Sequence, residues 1–107
     1  MTRTLLHVPA TARAGEVVEV RTHIQHPMET GHRQGAAGTP LPRDLVRRVE
    51  CHFEGRQVFA ADLHAAIAAN PYVAFFMRVP QTGTLRVDWS GDNGLQQSAS
   101  ARITVVA

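Results

Sequence analysis

The sequence contains no lysine, and this absence excludes several kinds of chemistry. Without a lysine there is no Schiff-base nucleophile and no phosphate-binding lysine, so Gly31, Gly35 and Gly38 cannot belong to a nucleotide-binding P-loop. All eleven cationic side chains are arginines, scattered from Arg3 to Arg102 without forming a basic stripe. A nucleic-acid-binding surface normally concentrates positive charge, so we do not expect this class of function.

Cysteine is almost absent as well. The single Cys51 excludes an internal disulfide framework, so a hydrophobic core must stabilise the fold. Val49 and Phe53 alternate with Cys51, which places the thiol on the core face, where apolar surroundings raise the pKa of a thiol and make it unreactive. None of the three serines lies in a G-x-S-x-G motif. We therefore expect no catalytic nucleophile, while an inter-chain disulfide or a redox role for Cys51 stays open.

Long apolar runs are also missing. The most apolar segment, Ala65 to Val79, is interrupted by Asn70 and Pro71, so no membrane-spanning helix is predicted. Ala10 to Ala12 resembles a signal-peptide cleavage site, but the apolar stretch before it is too short for a signal peptide. With 107 residues, 44% of them hydrophobic, the chain is predicted to form one globular domain over 1–107.

Short strand patterns separated by turn residues recur along the chain. Glu16 to His26 and Arg47 to Glu54 alternate apolar and polar side chains, which is typical of half-buried strands. Tyr72 to Val79 is apolar without clean alternation, which predicts a strand at the centre of a sandwich. Gly91 to Gly94 predicts a hairpin, because its Asn-Gly pair tolerates positive φ. Further strands are predicted at Leu5–Val8, around Val58 and Phe59, at Leu85–Trp89 and at Ala99–Val105.

One segment, Ala61 to Ala69, has a helical pattern. Asp62 can cap it, Leu63 and Ile67 share a face, and the Asn-Pro pair that follows ends it. The stretch 27–42 holds three glycines and three prolines and is predicted to be a long loop. About seven short strands and one short helical turn predict an all-β fold, an immunoglobulin-like antiparallel β-sandwich.

The residues with the most varied chemistry lie in and beside this loop. His26 to Arg33 reads HPMETGHR, and Leu41 to Arg43 reads LPR. Rigid sandwiches commonly display recognition residues on such loops, and a mixture of methionine, carboxylate, histidine and arginine suits an adaptable protein contact. We interpret the loop as a candidate surface for binding another protein.

The same loop supports a metal hypothesis. His26, Met28 and His32, with Met77 as a further ligand, are donors that Cu(I) accepts. No C-x-x-C or H-E-x-x-H motif accompanies them, so we prefer a solvated strand end with a methionine packed into the core.

Six motifs follow one another along nearly the whole chain. They are PATARAGEVV at 9–18, HPMETGHR at 26–33, LPR at 41–43, CHFEG at 51–55, NPY at 70–72 and WSGDNG at 89–94. Several motifs in one order are more specific than a single motif. In this order they resemble the SoxZ family of the bacterial sulfur-oxidation (Sox) system.

The resemblance implies a non-catalytic subunit that forms a heterodimer with a SoxY-like carrier protein. In such pairs the SoxY subunit holds the sulfur intermediate on a cysteine in a glycine-rich tail and meets the other Sox enzymes transiently. This chain ends TVVA at 104–107 and has no such tail. Members of the family are exported with a signal-bearing SoxY, which implies a periplasmic location. The resemblance implies no cofactor, no metal and no membrane contact.

We expect the partner to be bound by the loop and by the hairpin turn. The expected residues are His26, Met28, Glu29, His32, Arg33 and Arg43, with Asn93 and Gly94 as a second set. Two alternatives stay open. One is a periplasmic copper-binding protein using the histidines and methionine of the loop, and the other is a SoxZ-like partner in a dehydrogenase-associated pathway.

Overall fold

The computed structural model describes residues 3–32, 34–35, 38–64 and 67–107. These residues form eight β-strands and one 3-10 turn, arranged in two sheets. The predicted all-β sandwich is confirmed, with one strand more than expected. The elements are β1 (Thr4–His7), β2 (Thr11–Arg13), β3 (Glu16–Ile24), β4 (Val46–Phe53), β5 (Arg56–Asp62), β6 (Tyr72–Val79), β7 (Gly83–Gly91), the 3-10 turn (Asp92–Gly94) and β8 (Gln96–Val106).

The two sheets differ in size. The small sheet has the order β1-β3-β6, and the large sheet has the order β2-β8-β7-β4-β5. Neighbouring strands are antiparallel, except that β2 runs parallel to β8. The hairpin predicted at Gly91 to Gly94 joins β7 to β8, and Asn93 and Gly94 have φ of 59° and 74°. This prediction is confirmed.

The core lies between the two sheets. The inward side chains of β3 are the alternate residues predicted from sequence, and Cys51 lies among the fully buried side chains of β4. The rings of Phe59 on β5 and Phe75 on β6 stack with centroids 4.4 Å apart, which joins one edge of the large sheet to one edge of the small sheet.

Two strand-level predictions are wrong. β6 is an edge strand rather than a central one, and its buried and exposed side chains alternate. The adjacent aromatics Phe75 and Phe76 hide this alternation in the sequence, because the first faces the core and the second faces outward. Apolar character alone therefore does not distinguish a central strand from an edge strand.

The helix predicted over Ala61 to Ala69 is absent from the described residues of that segment. β5 continues to Asp62, which pairs with Arg48 of β4 and accepts a 2.7 Å hydrogen bond from its guanidinium. The backbone N–H of Leu63 then donates to the carbonyl of Arg47 at 2.7 Å. Cross-strand pairing thus outweighs a local helical pattern. Ala65 and Ala66 lie outside the described residues.

The connection from β3 to β4 is the predicted long loop. Among its described residues the only regular features are isolated bridges, between Glu29 and Asp44 and between Gln34 and Pro40. In the part of the chain that the structure describes, no helix has the length and apolar character needed to cross a membrane.

Candidate functional site

The long loop is closed at its base by its own backbone. Glu29 and Asp44 exchange two backbone hydrogen bonds of 2.8 Å, and Gln34 and Pro40 form a second bridge farther out. The backbone N–H of Gly35 also donates to the carbonyl of Thr39 at 2.7 Å. The loop is therefore a hairpin-like projection whose two ends are fixed on one end of the sandwich.

His26 is the central residue at the base of this loop. It is buried, and its Nδ1 accepts a hydrogen bond of 3.0 Å from the backbone N–H of Met28. Since Nδ1 is the acceptor, the proton of the neutral ring lies on Nε2, which is 3.4 Å from the Asp44 carboxylate. The backbone N–H of His26 donates to Oδ1 of Asn70 at 2.9 Å, and the N–H of Asn70 donates back to the His26 carbonyl at 2.7 Å.

Met28 points into the protein rather than out of the loop. Its side chain is buried, and its backbone has φ of 54°, which turns the chain sharply after Pro27. Its sulfur accepts a hydrogen bond of 3.2 Å from the backbone N–H of Val46, the first residue of β4. A thioether fills an irregular gap well, so Met28 connects the beginning of the loop to its end.

Asp92 holds the other side of the loop base. Its carboxylate accepts hydrogen bonds from the backbone N–H of Leu45 at 3.1 Å and from the guanidinium of Arg47 at 2.7 Å. Its own N–H donates to the Leu45 carbonyl at 2.9 Å, and Nε of Arg43 lies 3.5 Å from the carboxylate. The pKa of Asp92 lies below its ordinary value, and the hydrogen bond from Arg47 is the largest cause. The Leu45 hydrogen bond and the charges of Arg47 and Arg43 also lower the pKa, and all these effects outweigh burial, which raises it.

Several sequence motifs therefore meet at one place. We call His26, Met28, Asp44, Asn70 and Asp92 the loop-base cluster. Asp44, Asn70 and Asp92 were missed as site residues, although Asn70 and Asp92 lie in two of the quoted motifs. An Asn or Asp beside Pro or Gly is a signal for side chains that bond loop backbone, and it could have found Asn70 and Asp92 but not Asp44, which lies between Arg43 and Leu45.

The predicted contact residues divide into a buried and an exposed group. The side chains of His26 and Met28 are buried, and a buried side chain offers little surface to another protein. The contact role of every predicted residue stays a prediction. His32, Arg43, Asn93 and Gly94 are exposed, Glu29 is half-buried and engaged with other groups, and Arg33 lies outside the described residues.

The atoms invoked for copper binding are already engaged. Nδ1 of His26 and Sδ of Met28 each accept a backbone hydrogen bond, so a copper ion on these atoms would have to replace both bonds. Met77 is buried on β6. Among the residues that the structure describes, no three His, Cys, Asp or Glu side chains are grouped as metal ligands.

Cys51 is a core residue of β4. Its side chain is fully buried. Burial is the main cause that raises its pKa to about 12, and the negative charge of Asp88 adds to the effect. The thiol is therefore protonated at neutral pH and is not a nucleophile in the folded chain.

The solved structures that resemble this fold place it among immunoglobulin-like sandwiches. A superoxide reductase (neelaredoxin) from Ignicoccus hospitalis is 20% identical, with a TM-score of 0.75 over 98% of this chain and 82% of that chain. The sulfur carrier protein SoxY from Chlorobium limicola f thiosulfatophilum is 17% identical, with a TM-score of 0.66 over 97% and 79%. A CARDB domain from Pyrococcus furiosus is 13% identical, with a TM-score of 0.63 over 98% and 94%. At these identities the likeness is one of fold alone.

The sequence itself identifies the family. The family model of sulphur oxidation protein SoxZ matches residues 6–102, nearly the whole chain. The chain belongs to the SoxZ family and is a subunit of the sulfur-oxidation system. No curated protein matches its sequence significantly.

Proposed function

We propose that this chain is the non-catalytic partner of a SoxY-like sulfur carrier, and that it stabilises the carrier and helps it dock to the enzymes of thiosulfate and sulfur oxidation. The match to the SoxZ family over residues 6–102 carries the proposal. The state of Cys51 supports it, since carriage of sulfur on a cysteine needs an accessible thiolate and this thiol is buried, with a pKa of about 12. The reactive thiol then belongs to the partner.

The docking surface in this proposal is the exposed part of the loop together with the 3-10 turn. The loop-base cluster supports this choice, because it fixes both segments to the same end of the sandwich. Preorganised loops lose less conformational entropy on binding than mobile ones. The proposed contacts are Glu29, His32, Arg43, Asn93 and Gly94, positioned from beneath by His26 and Met28, and Arg33, which lies outside the described residues, stays a predicted contact.

The heterodimer and a periplasmic location belong to the same proposal and follow from the family. A carrier that bears the export signal would bring this chain with it, and the two would meet the other Sox enzymes there.

The experiment is a reconstitution with the SoxY-like carrier and the remaining Sox enzymes. After incubation with thiosulfate, mass spectrometry of the separated subunits is expected to find the sulfur adduct on the carrier and none on this chain. Cys51→Ala in this chain is expected to leave the adduct unchanged, whereas Cys→Ser in the carrier tail abolishes it. Failure of the two chains to associate, or an adduct on Cys51, would overturn the proposal.

A further inference from the structure

The outer face of the small sheet is unusually apolar for a surface. Seven large apolar side chains are exposed among the described residues, and four of them lie on this face. The strand register places them on the same side, because the cross-strand pairs of an antiparallel sheet share a face. The four are Leu5 on β1, Val17 on β3, and Tyr72 and Phe76 on β6, with exposed fractions of 53%, 50%, 57% and 69%.

The outer face of the large sheet has the opposite character. Arg48 bonds to Glu50 at 3.1 Å and to Asp62 at 2.7 Å, and Arg86 bonds to Asp88 at 2.9 Å. These charges are paired within the face, as on a surface that faces water. The larger apolar patch on the small sheet, against a mainly self-paired polar surface on the large sheet, favours the small sheet as the one that another protein covers.

The free edge of β6 adjoins the apolar face. Ile24 donates to the carbonyl of Pro71 at 3.2 Å, and this bond sets which residues of β6 pair with β3. Alternation then directs the backbone N–H and C=O groups of Tyr72, Ala74, Phe76 and Arg78 away from β3, toward the edge that no other strand covers among the described residues. Unpaired edge groups offer further hydrogen bonds to a partner.

The charges on this face favour a different protein over a second copy. Arg21 and Arg78 lie there against one carboxylate, Glu19, which already bonds to Arg21 at 2.8 Å, while Arg78 donates to the carbonyl of Gly15 at 2.6 Å. Two copies packed through this face would bring like charges together, whereas a partner with acidic groups around an apolar centre would complement it.

The size of the face shows how far such a partner must extend. β3 and β6 pair over eight residues. At the usual strand dimensions a three-stranded face of this length is ~24 Å by ~14 Å, and because β1 has only four residues the face is no more than ~340 Å², less than half of the ~800 Å² that a stable interface buries on each side. The partner must also cover neighbouring surface, and the loop base lies beside the start of β6 through the bonds between His26 and Asn70.

We propose that the SoxY-like carrier covers the outer face of the small sheet, with Tyr72 and Phe76 as apolar anchors and acidic groups of the carrier beside Arg21 and Arg78. The inference rests on the proposed function, which supplies the occupant. It places the centre of the interface on β1, β3 and β6 and keeps the contacts proposed for the loop and the 3-10 turn at its rim.

The test measures the affinity of the purified carrier for variants of this chain by isothermal titration calorimetry. Phe76→Ala and Val17→Glu are each expected to weaken binding at least about 30-fold, as for hot-spot residues. Val106→Glu is the matched control, since Val106 is a strand valine of similar exposure (45%) on the large sheet, and binding is expected to stay within about twofold. The new carboxylate of Val17→Glu lies opposite Arg78, and this pair of opposite charges favours the folded sheet. Thermal unfolding of the variant checks that it is folded.

The outcomes separate the two proposals. If the wild-type chain does not bind the carrier, the proposed function fails and the interface assignment fails with it. If the wild-type chain binds but Phe76→Ala and Val17→Glu bind equally well, only the interface assignment is overturned. If the isolated chain forms a dimer that Phe76→Ala dissociates, a second copy covers this face and the assignment to the carrier is wrong.

Discussion

Replacing His26 by alanine tests whether this buried side chain fixes the base of the loop. The substitution leaves the backbone N–H of Met28 without its 3.0 Å acceptor in a buried place. An unpaired buried donor costs about 1–3 kcal/mol, and the space left by the ring adds about 1 kcal/mol. The free energy of unfolding is therefore expected to fall by about 2–4 kcal/mol, which for a domain of this size lowers Tm by about 10–20 °C.

His26→Asn is the matched variant. The Oδ1 atom of asparagine can lie where Nδ1 of the ring lies and accept the same hydrogen bond from Met28, although the approach of the ring to Asp44 is lost. We expect this variant to lose only about 1 kcal/mol. His26→Gln places its oxygen one bond farther out and is expected to behave like the alanine variant.

Urea and thermal unfolding of the four proteins give these values, and the amide resonance of Met28 in NMR spectra reports its hydrogen bond directly. If His26→Ala unfolds within about 0.5 kcal/mol of the wild type, the range of an ordinary surface substitution, the loop does not depend on His26. Equal losses for the asparagine and alanine variants would refute the role of Nδ1 as acceptor.

Three further predictions concern the core and the second side of the loop base. Because the pKa of Cys51 is about 12, iodoacetamide at pH 8 is expected to spare the folded chain and to alkylate it in urea; rapid labelling of the folded chain would contradict this. The pKa of Asp92 is lowered, so its stabilising effect is present above the ordinary value of 3.8 and is lost as the pH falls through its folded pKa. The stability difference between wild type and Asp92→Asn is thus expected to be larger at pH 6 than below pH 3.8 in urea titrations, and a constant difference would argue against the pairing. A Cβ at Gly91 would collide with the carbonyl oxygen of Leu45, so Gly91→Ala is expected to lower stability by about 1–3 kcal/mol in thermal unfolding, and an unchanged Tm would show that the turn can move away.

The sequence predicts best those strands in which one face is buried and the other is exposed to solvent. β3 is the clearest case, since Val18, Val20, Thr22 and Ile24 are all buried. The position predicted for β6 is wrong because a partly exposed aromatic edge strand has the same composition as a central strand. The helical pattern of Ala61 to Ala69 failed because pairing with β4 is a non-local contact that local propensity does not contain.

The candidate site was found in part for a similar reason. His26 and Met28 stood out by their chemistry, but whether they face a partner or the protein depends on residues far away in the chain. Asn70 bonds to His26 across 44 residues, and Asp92 bonds to Leu45 across 47. Such partners come from separate turns, and only the packed sandwich brings them together.

Native mass spectrometry of the two purified chains, mixed at micromolar concentration, tests whether this chain binds a SoxY-like carrier. One dominant species with the summed mass of one copy of each chain is expected. Separate masses for the two proteins, or a homodimer of this chain with no carrier bound, would refute the proposed partnership.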